Sequence, residues 1–181
     1  MNIINKILQF ITIKQHQHNH KIFDEAIKLA QFQVKVHKPT NRRYTETLLV
    51  SCVDFRFRNE VEELMSNFLH LEGDYDEIAL PGASLSIVEK KYPEWSIALG
   101  EVIELLKGLH HIKRVIFLDH RDCGAYKIMK GKKALATREL ETKTHRSVFK
   151  GARKFMKEHF PELKVYTLLM GMDGLVENFK D

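Results

Sequence analysis

The chain has 181 residues, 44% hydrophobic and 29% charged, with 29 Lys and Arg against 24 Asp and Glu for a formal net charge of +5. That length predicts one domain, and apolar residues interspersed with both signs of charge exclude a disordered or collagen-like chain. Two cysteines far apart, Cys52 and Cys123, cannot make a disulfide scaffold, and a chain of this size buries a core without one.

Residues 1–22 read as an N-terminal polar, His-rich arm, and residues 23–181 as the domain. The first 14 residues are apolar in patches, but Asn5, Lys6, Gln9 and Lys14 interrupt them and no small-residue cleavage site follows. No stretch approaches the ~20 apolar residues of a membrane span. A cytoplasmic location with reduced thiols, and no membrane partner, is therefore expected. His16, His18 and His20 alternate, but their surroundings read as a polar tail rather than a metal site.

Helix and strand periodicities then alternate, which predicts an α/β fold with a mostly parallel central sheet of about four to five strands flanked by helices. Residues 23–36 place Phe23, Ala26, Ile27, Ala30 and Val34 on one helical face. Residues 47–50 form a short apolar strand. Residues 59–71 read as a helix with Val61, Leu64, Met65 and Phe68 on one stripe, and 76–80 as a strand stopped by Pro81 and Gly82. A long amphipathic helix covers 96–109, ending in His110 and His111, whose partial charge suits a helix C-terminus. Val115, Ile116, Phe117 and Leu118 then form the unbroken apolar run of a central strand over 114–118. Helices follow over 123–129 and 138–160, and a last strand over 165–170. The basic run Lys127, Lys130, Lys132 and Lys133 lacks the interleaved aromatics on which bases stack, so no nucleic-acid partner is expected.

Both cysteines fall just past predicted strands, and His120 precedes Cys123 by three residues. In an open parallel sheet the carboxyl ends of the strands share one edge, and neighbouring strands lie about 4.8 Å apart. Cys52, His120 and Cys123 can therefore converge. Two thiolates and an imidazole suit zinc, and three protein ligands leave a position for water or substrate, whereas structural zinc sites close with four. The turn after Cys52 adds Asp54 two positions on and Arg56 two further, on the same side of an extended segment. Asp54 can accept a hydrogen bond from a zinc-bound water or take the open position itself, and Arg56 keeps that carboxylate ionised and oriented. Asp119 and Asp122 flank His120, and either can accept from its ring N–H; Asp122 can equally cap the next helix.

Cys-x-Asp-x-Arg at Cys52, Asp54 and Arg56, followed by His-x-x-Cys-Gly at His120, Cys123 and Gly124, resembles the β-class carbonic anhydrases. The likeness runs over residues 45–130 and includes the helix, strand and turn leading to Cys123. It implies a parallel-sheet fold, a homodimer or homotetramer, one zinc ion per chain, and hydration of carbon dioxide to bicarbonate by a zinc-bound hydroxide. It also implies that Cys52, His120 and Cys123 hold the metal while Asp54 and Arg56 form the gating dyad. Three positions depart from the family pattern. Phe55 stands where a serine is usual, residues 80–84 (Leu-Pro-Gly-Ala-Ser) replace an Arg-Asn-Ala-Gly-Asn turn, and residues 39–45 offer no glutamine. Phe55, Gly82, Ala83, Ser84 and Gly124 are the expected substrate-pocket residues. Because that pocket is more apolar, carbonyl sulfide and carbon disulfide are alternative electrophiles. A catalytically silent zinc-binding member, with Asp54 as a fourth ligand, is the non-enzyme alternative.

Overall fold

The strand β1 (Thr47–Ser51) is buried at every position. A strand like that needs cover on both faces. The computed structural model describes residues 40–180 and shows how the cover is arranged. After β1 come a 3-10 turn (Phe55–Phe57), α1 (Arg58–Glu62) with a π-helical continuation (Glu63–Phe68), β2 (Asp76–Ala79) and a 3-10 turn (Ala83–Ile87). Then follow α2 (Pro93–Leu109), β3 (Arg114–His120), α3 (Gly124–Met129), a 3-10 turn (Lys132–Leu135), α4 (Arg138–His159), β4 (Lys164–Met170) and β5 (Val176–Asn178).

The sheet order is β2-β1-β3-β4-β5, with the first four strands parallel and β5 antiparallel to β4. Alternate side chains separate the two faces. Leu48, Val50, Val115 and Phe117 pack against Leu99 and Ile103 of α2 and Ala152 and Met156 of α4. Leu49, Ile116 and Leu118 pack on the other side against Phe57, Val61, Leu64 and Met65. The chain moves outward from β1 to β2, then returns past β1 to β3 and continues outward to β4. The strand order thus reverses between β1 and β3, the position at which open α/β sheets form a crevice beyond their carboxyl ends.

The fold class is the predicted one, with particular differences. The helix predicted over 59–71 is α-helical only for its first five residues. Beyond Glu62 the turns widen, the Leu69 N–H reaching back to the Leu64 carbonyl at 2.9 Å. The widening brings the neighbours Leu64 and Met65 both onto the sheet and turns Phe68 out to solvent, off the predicted stripe. The long second helix begins at Pro93, which suits a first helical position because its missing N–H would have had no partner there. A fifth strand, only three residues long, pairs antiparallel with β4; the mostly parallel sheet of four to five strands includes it, although periodicity assigns no element to its residues. The predicted helix over 23–36 and His16, His18 and His20 lie outside the described residues.

Candidate metal centre

Strand register brings the ligand candidates together. Ser51 pairs with Leu118, so Cys52, one residue past β1, lies beside His120, the last residue of β3. One turn later Cys123 caps α3. The ligand atoms of Cys52, His120 and Cys123 lie within 4.8 Å of one another, and the two Sγ atoms are 3.9 Å apart. Among the described residues, this is the cluster of His, Cys, Asp and Glu side chains placed to hold a metal ion.

His120 is 3% exposed, and its Nδ1 lies 2.7 Å from the Arg121 carbonyl oxygen. A carbonyl only accepts, so Nδ1 carries the proton and Nε2 presents its lone pair. Nε2 is buried and has no hydrogen-bond partner among the described residues. A buried, unsatisfied nitrogen aimed at two sulfurs is the arrangement a metal ion satisfies. The ring acceptor is thus the Arg121 backbone rather than Asp119 or Asp122. Nor does Asp122 cap α3, since its side chain is taken by Arg56 and Lys127.

The two thiols hold one proton between them. Hydrogen bonding from Cys123 brings Cys52 down to about 4 against the opposing effect of burial, with His120 and the Gly82 N–H adding to the shift. Cys123 is pushed up, because it keeps that proton against the Cys52 sulfur and is itself buried. Burial disfavours a charged His120, but the adjacent Cys52 sulfur outweighs it and the net shift is upward. A metal cation bound at this point would take the place of that proton.

Asp54 and Arg56 stand next to the ligands. Asp54 accepts from the Arg56 backbone N–H at 3.1 Å, from Arg56 Nε at 3.0 and 3.1 Å, and from Nη2 at 2.7 Å. Its Oδ2 is 3.7 Å from His120 Nε2. The guanidinium also bonds Asp122 through Nη1 at 3.0 Å, so it is braced between two carboxylates. Arg56 holds the Asp54 carboxyl down at about 2.

The expected pocket residues separate into three positions. Gly82 touches the ligand set, its N–H donating to Cys52 Sγ at 3.3 Å. Its φ of 77°, and the 3.0 Å at which an added Cβ would meet Leu85 Cβ, leave room only for glycine. Ala83 and Ser84 are fully buried beneath the ligands, and Gly124 is exposed on the first turn of α3. Phe55 points outward, 83% exposed. Beneath the ligands is a group that residue spacing does not reveal. Asp119, 1% exposed, accepts from the Ser84 N–H, the Ser84 hydroxyl and the Tyr126 hydroxyl, and meets His145 Nδ1 at 3.0 Å. Its one signal in the sequence is a carboxylate ending an apolar strand. His110 closes α2 and pairs with Asp76 at 2.8 Å, away from the ligands. No helix among the described residues is long and apolar enough to cross a membrane.

Comparisons with known proteins give the family and the fold. An uncharacterized protein of Rickettsia bellii is 47% identical over 150 residues, which are 83% of this chain and 91% of the relative. Another from Rickettsia conorii is 52% identical over 131 residues, 72% of this chain and 70% of the relative. A carbonic anhydrase from Streptococcus mutans superposes with a TM-score of 0.56 at 16% identity, covering 87% of this chain and 97% of that one. A β-carbonic anhydrase of Aspergillus fumigatus gives 0.51 at 15% identity, covering 96% and 90%. At such identities the likeness is one of fold. The sequence profile described as "Putative carbonic anhydrase" matches residues 42–179, and with most of its length matched the chain belongs to that family, as a divergent member with the β-carbonic anhydrase fold.

Proposed function

We propose that this chain is a zinc enzyme that reversibly hydrates carbon dioxide to bicarbonate, with Cys52, His120 and Cys123 holding one zinc ion per chain. The observation that carries the reading is the convergence of three ligand atoms within 4.8 Å, with an ionised carboxylate 3.7 Å from one of them. Two sulfurs and one imidazole are a donor set that zinc favours, and three protein ligands leave a position for water. Bound there, zinc supplies Lewis acidity and brings a water's pKa down to about 7.

The chain's own residues do the rest. The Arg121 carbonyl fixes the His120 tautomer so that Nε2 is the ligand atom. Asp54, ionised throughout the neutral range, can only accept, so it takes a proton-side contact from the water and orients its lone pair toward the substrate. Arg56 keeps that carboxylate turned aside from the ligand position, and Asp122 braces Arg56 from behind. Val53 and Phe55, exposed beside the dyad, are the apolar surface that a second copy would cover, which supports action as a homodimer or homotetramer. The reading includes a cytoplasmic protein with a small-molecule substrate and neither nucleic-acid nor membrane partners.

Stopped-flow hydration of carbon dioxide by the zinc-loaded protein tests it, with carbonyl sulfide and carbon disulfide as parallel arms scored by sulfide release. Hydration well above the buffer rate is expected. Sulfide release without hydration would move the assignment to the sulfur substrates. Silence with all three at every pH would leave a zinc-binding protein and overturn the enzyme reading.

A further inference from the structure

We infer that Asp119 is a positioning residue for the metal ligand Cys52, acting through Ser84 and Gly82, an inference that rests on the metal assignment above. A carboxylate this deeply buried is tolerated only where its oxygens are satisfied, and here they are satisfied by neighbours from three separate elements. Oδ1 takes the Ser84 N–H at 2.9 Å. Oδ2 takes the Ser84 hydroxyl at 2.7 Å and the Tyr126 hydroxyl, and faces His145 Nδ1 at 3.0 Å.

The turn that Asp119 grips is strained. Gly82 and Ala83 are both left-handed, with φ of 77° and 47°. Alanine adopts such a conformation only where the surrounding structure holds it there. The turn holds itself through the Ala83 N–H on the Leu80 carbonyl at 3.0 Å, the Leu85 N–H on the Gly82 carbonyl at 3.0 Å and the Ser86 hydroxyl on the Ala83 carbonyl at 2.6 Å, and the two hydrogen bonds from Ser84, the next residue, fasten it to Asp119. Ser84 is two residues past Gly82, so its grip on Asp119 anchors to the end of β3 the turn whose Gly82 N–H lies 3.3 Å from Cys52 Sγ. An N–H aimed at a thiolate stabilises its charge and fixes the sulfur's direction, as outer partners of metal ligands do.

The same carboxylate reaches the elements that carry the other two ligands. Asp119 directly precedes His120 at the end of β3, and Tyr126 lies on α3, which Cys123 caps. Tyr126 packs in one apolar cluster with Cys52, Leu85 and Cys123, so the hydrogen bond at its hydroxyl fixes a ring that touches this group. A single buried group thus sets the relative placement of ligands that come from two strand ends 68 residues apart in sequence, at positions 52 and 120.

The experiment measures metal affinity rather than turnover. Zinc affinity of the full chain is measured by chelator competition, and cobalt(II) is loaded separately to record the sulfur-to-cobalt charge-transfer bands. Asp119→Asn is expected to weaken zinc binding by about 10–100-fold and to move those bands, the range seen when partners of metal ligands are removed. Ser84→Ala is expected to shift both in the same direction by less, because the Ser84 N–H remains. Leu163→Ala, buried just before β4 at the end of the sheet opposite the ligands, lowers stability but should leave affinity and bands at wild-type values, which separates positioning from general loosening. If Asp119→Asn fails to fold, Ser84→Ala decides. Wild-type affinity and bands in the folded variants overturn this inference while leaving the metal assignment standing. A wild-type chain that takes up neither zinc nor cobalt overturns the metal assignment, and this inference with it.

Discussion

Past β1 the chain runs along the surface: Val53 is 53% exposed, and Asp54 and Arg56 bond chiefly to each other, two residues apart. From the end of β3 it runs through the interior, where Asp119, His120, Arg121 and Cys123 are all buried. There the partners come from far along the chain. Arg121 pairs with Glu141 and Glu177, Glu141 accepts from the Asp122 N–H, and Asp119 meets His145. Both loops bring candidate ligands to one point, but the first is arranged largely by its own sequence, with Asp122 bracing Arg56, and the second by α4 and β5. In the proposed reading, the acid–base groups sit on the exposed loop, while the buried loop holds two of the three ligands still.

The contrast predicts where damage is large. Glu141→Ala removes one of the two carboxylate partners of the buried Arg121 guanidinium and the acceptor of the Asp122 N–H, and should cost about 1–3 kcal/mol of unfolding free energy in chemical denaturation. A cost near that of a surface pair would show the second loop to be as self-contained as the first. Arg56→Ala, on the exposed loop, should cost less than about 1 kcal/mol in the same measurement. Its effect belongs to chemistry instead, a fall in carbon dioxide hydration of about 10–100-fold with the protein still folded.

The smallest effect lies in the acid range. The Asp54 carboxyl is held at about 2 in the folded chain, below the ~3.9 of an unfolded aspartate. A lowered folded value stabilises above the unfolded value and is lost as pH falls through the folded one. The stability gap between wild type and Arg56→Ala should therefore be level above about pH 4 and shrink from there toward pH 2. A denaturation series across that window reads it, and a gap that widens toward acid would show that Arg56 is not what holds Asp54 down.

The same contrast explains what was legible in the sequence. Cys52, Asp54 and Arg56 act through a spacing of two, so their relation is visible in the residue string, as is the three-residue step from His120 to Cys123. The apolar run of β3 announces a strand covered on both faces, and the sheet class follows from the alternation of periods. What the string hides is long-range or carried by backbone. The acceptor of His120 is a carbonyl, which leaves no mark in residue identity. Asp119 reads as a flanking acid until the fold brings Ser84 and His145 to it from 35 and 26 residues away. Ser84 and Ala83, expected as pocket lining, prove to be the buried support of the turn. The π-helical turns after Glu62 serve the packing of Leu64 and Met65 on a sheet that periodicity alone does not show.

The central claim is that Cys52, His120 and Cys123 together hold one zinc ion. Elemental analysis of the purified full chain beside Cys52→Ser and His120→Ala, both confirmed folded, tests it most directly. The account predicts about one zinc per chain in the wild type, as an open three-ligand site requires, and its loss in both variants. Zinc retained in full by both variants, or absent from the wild-type chain supplied with it, would contradict the account.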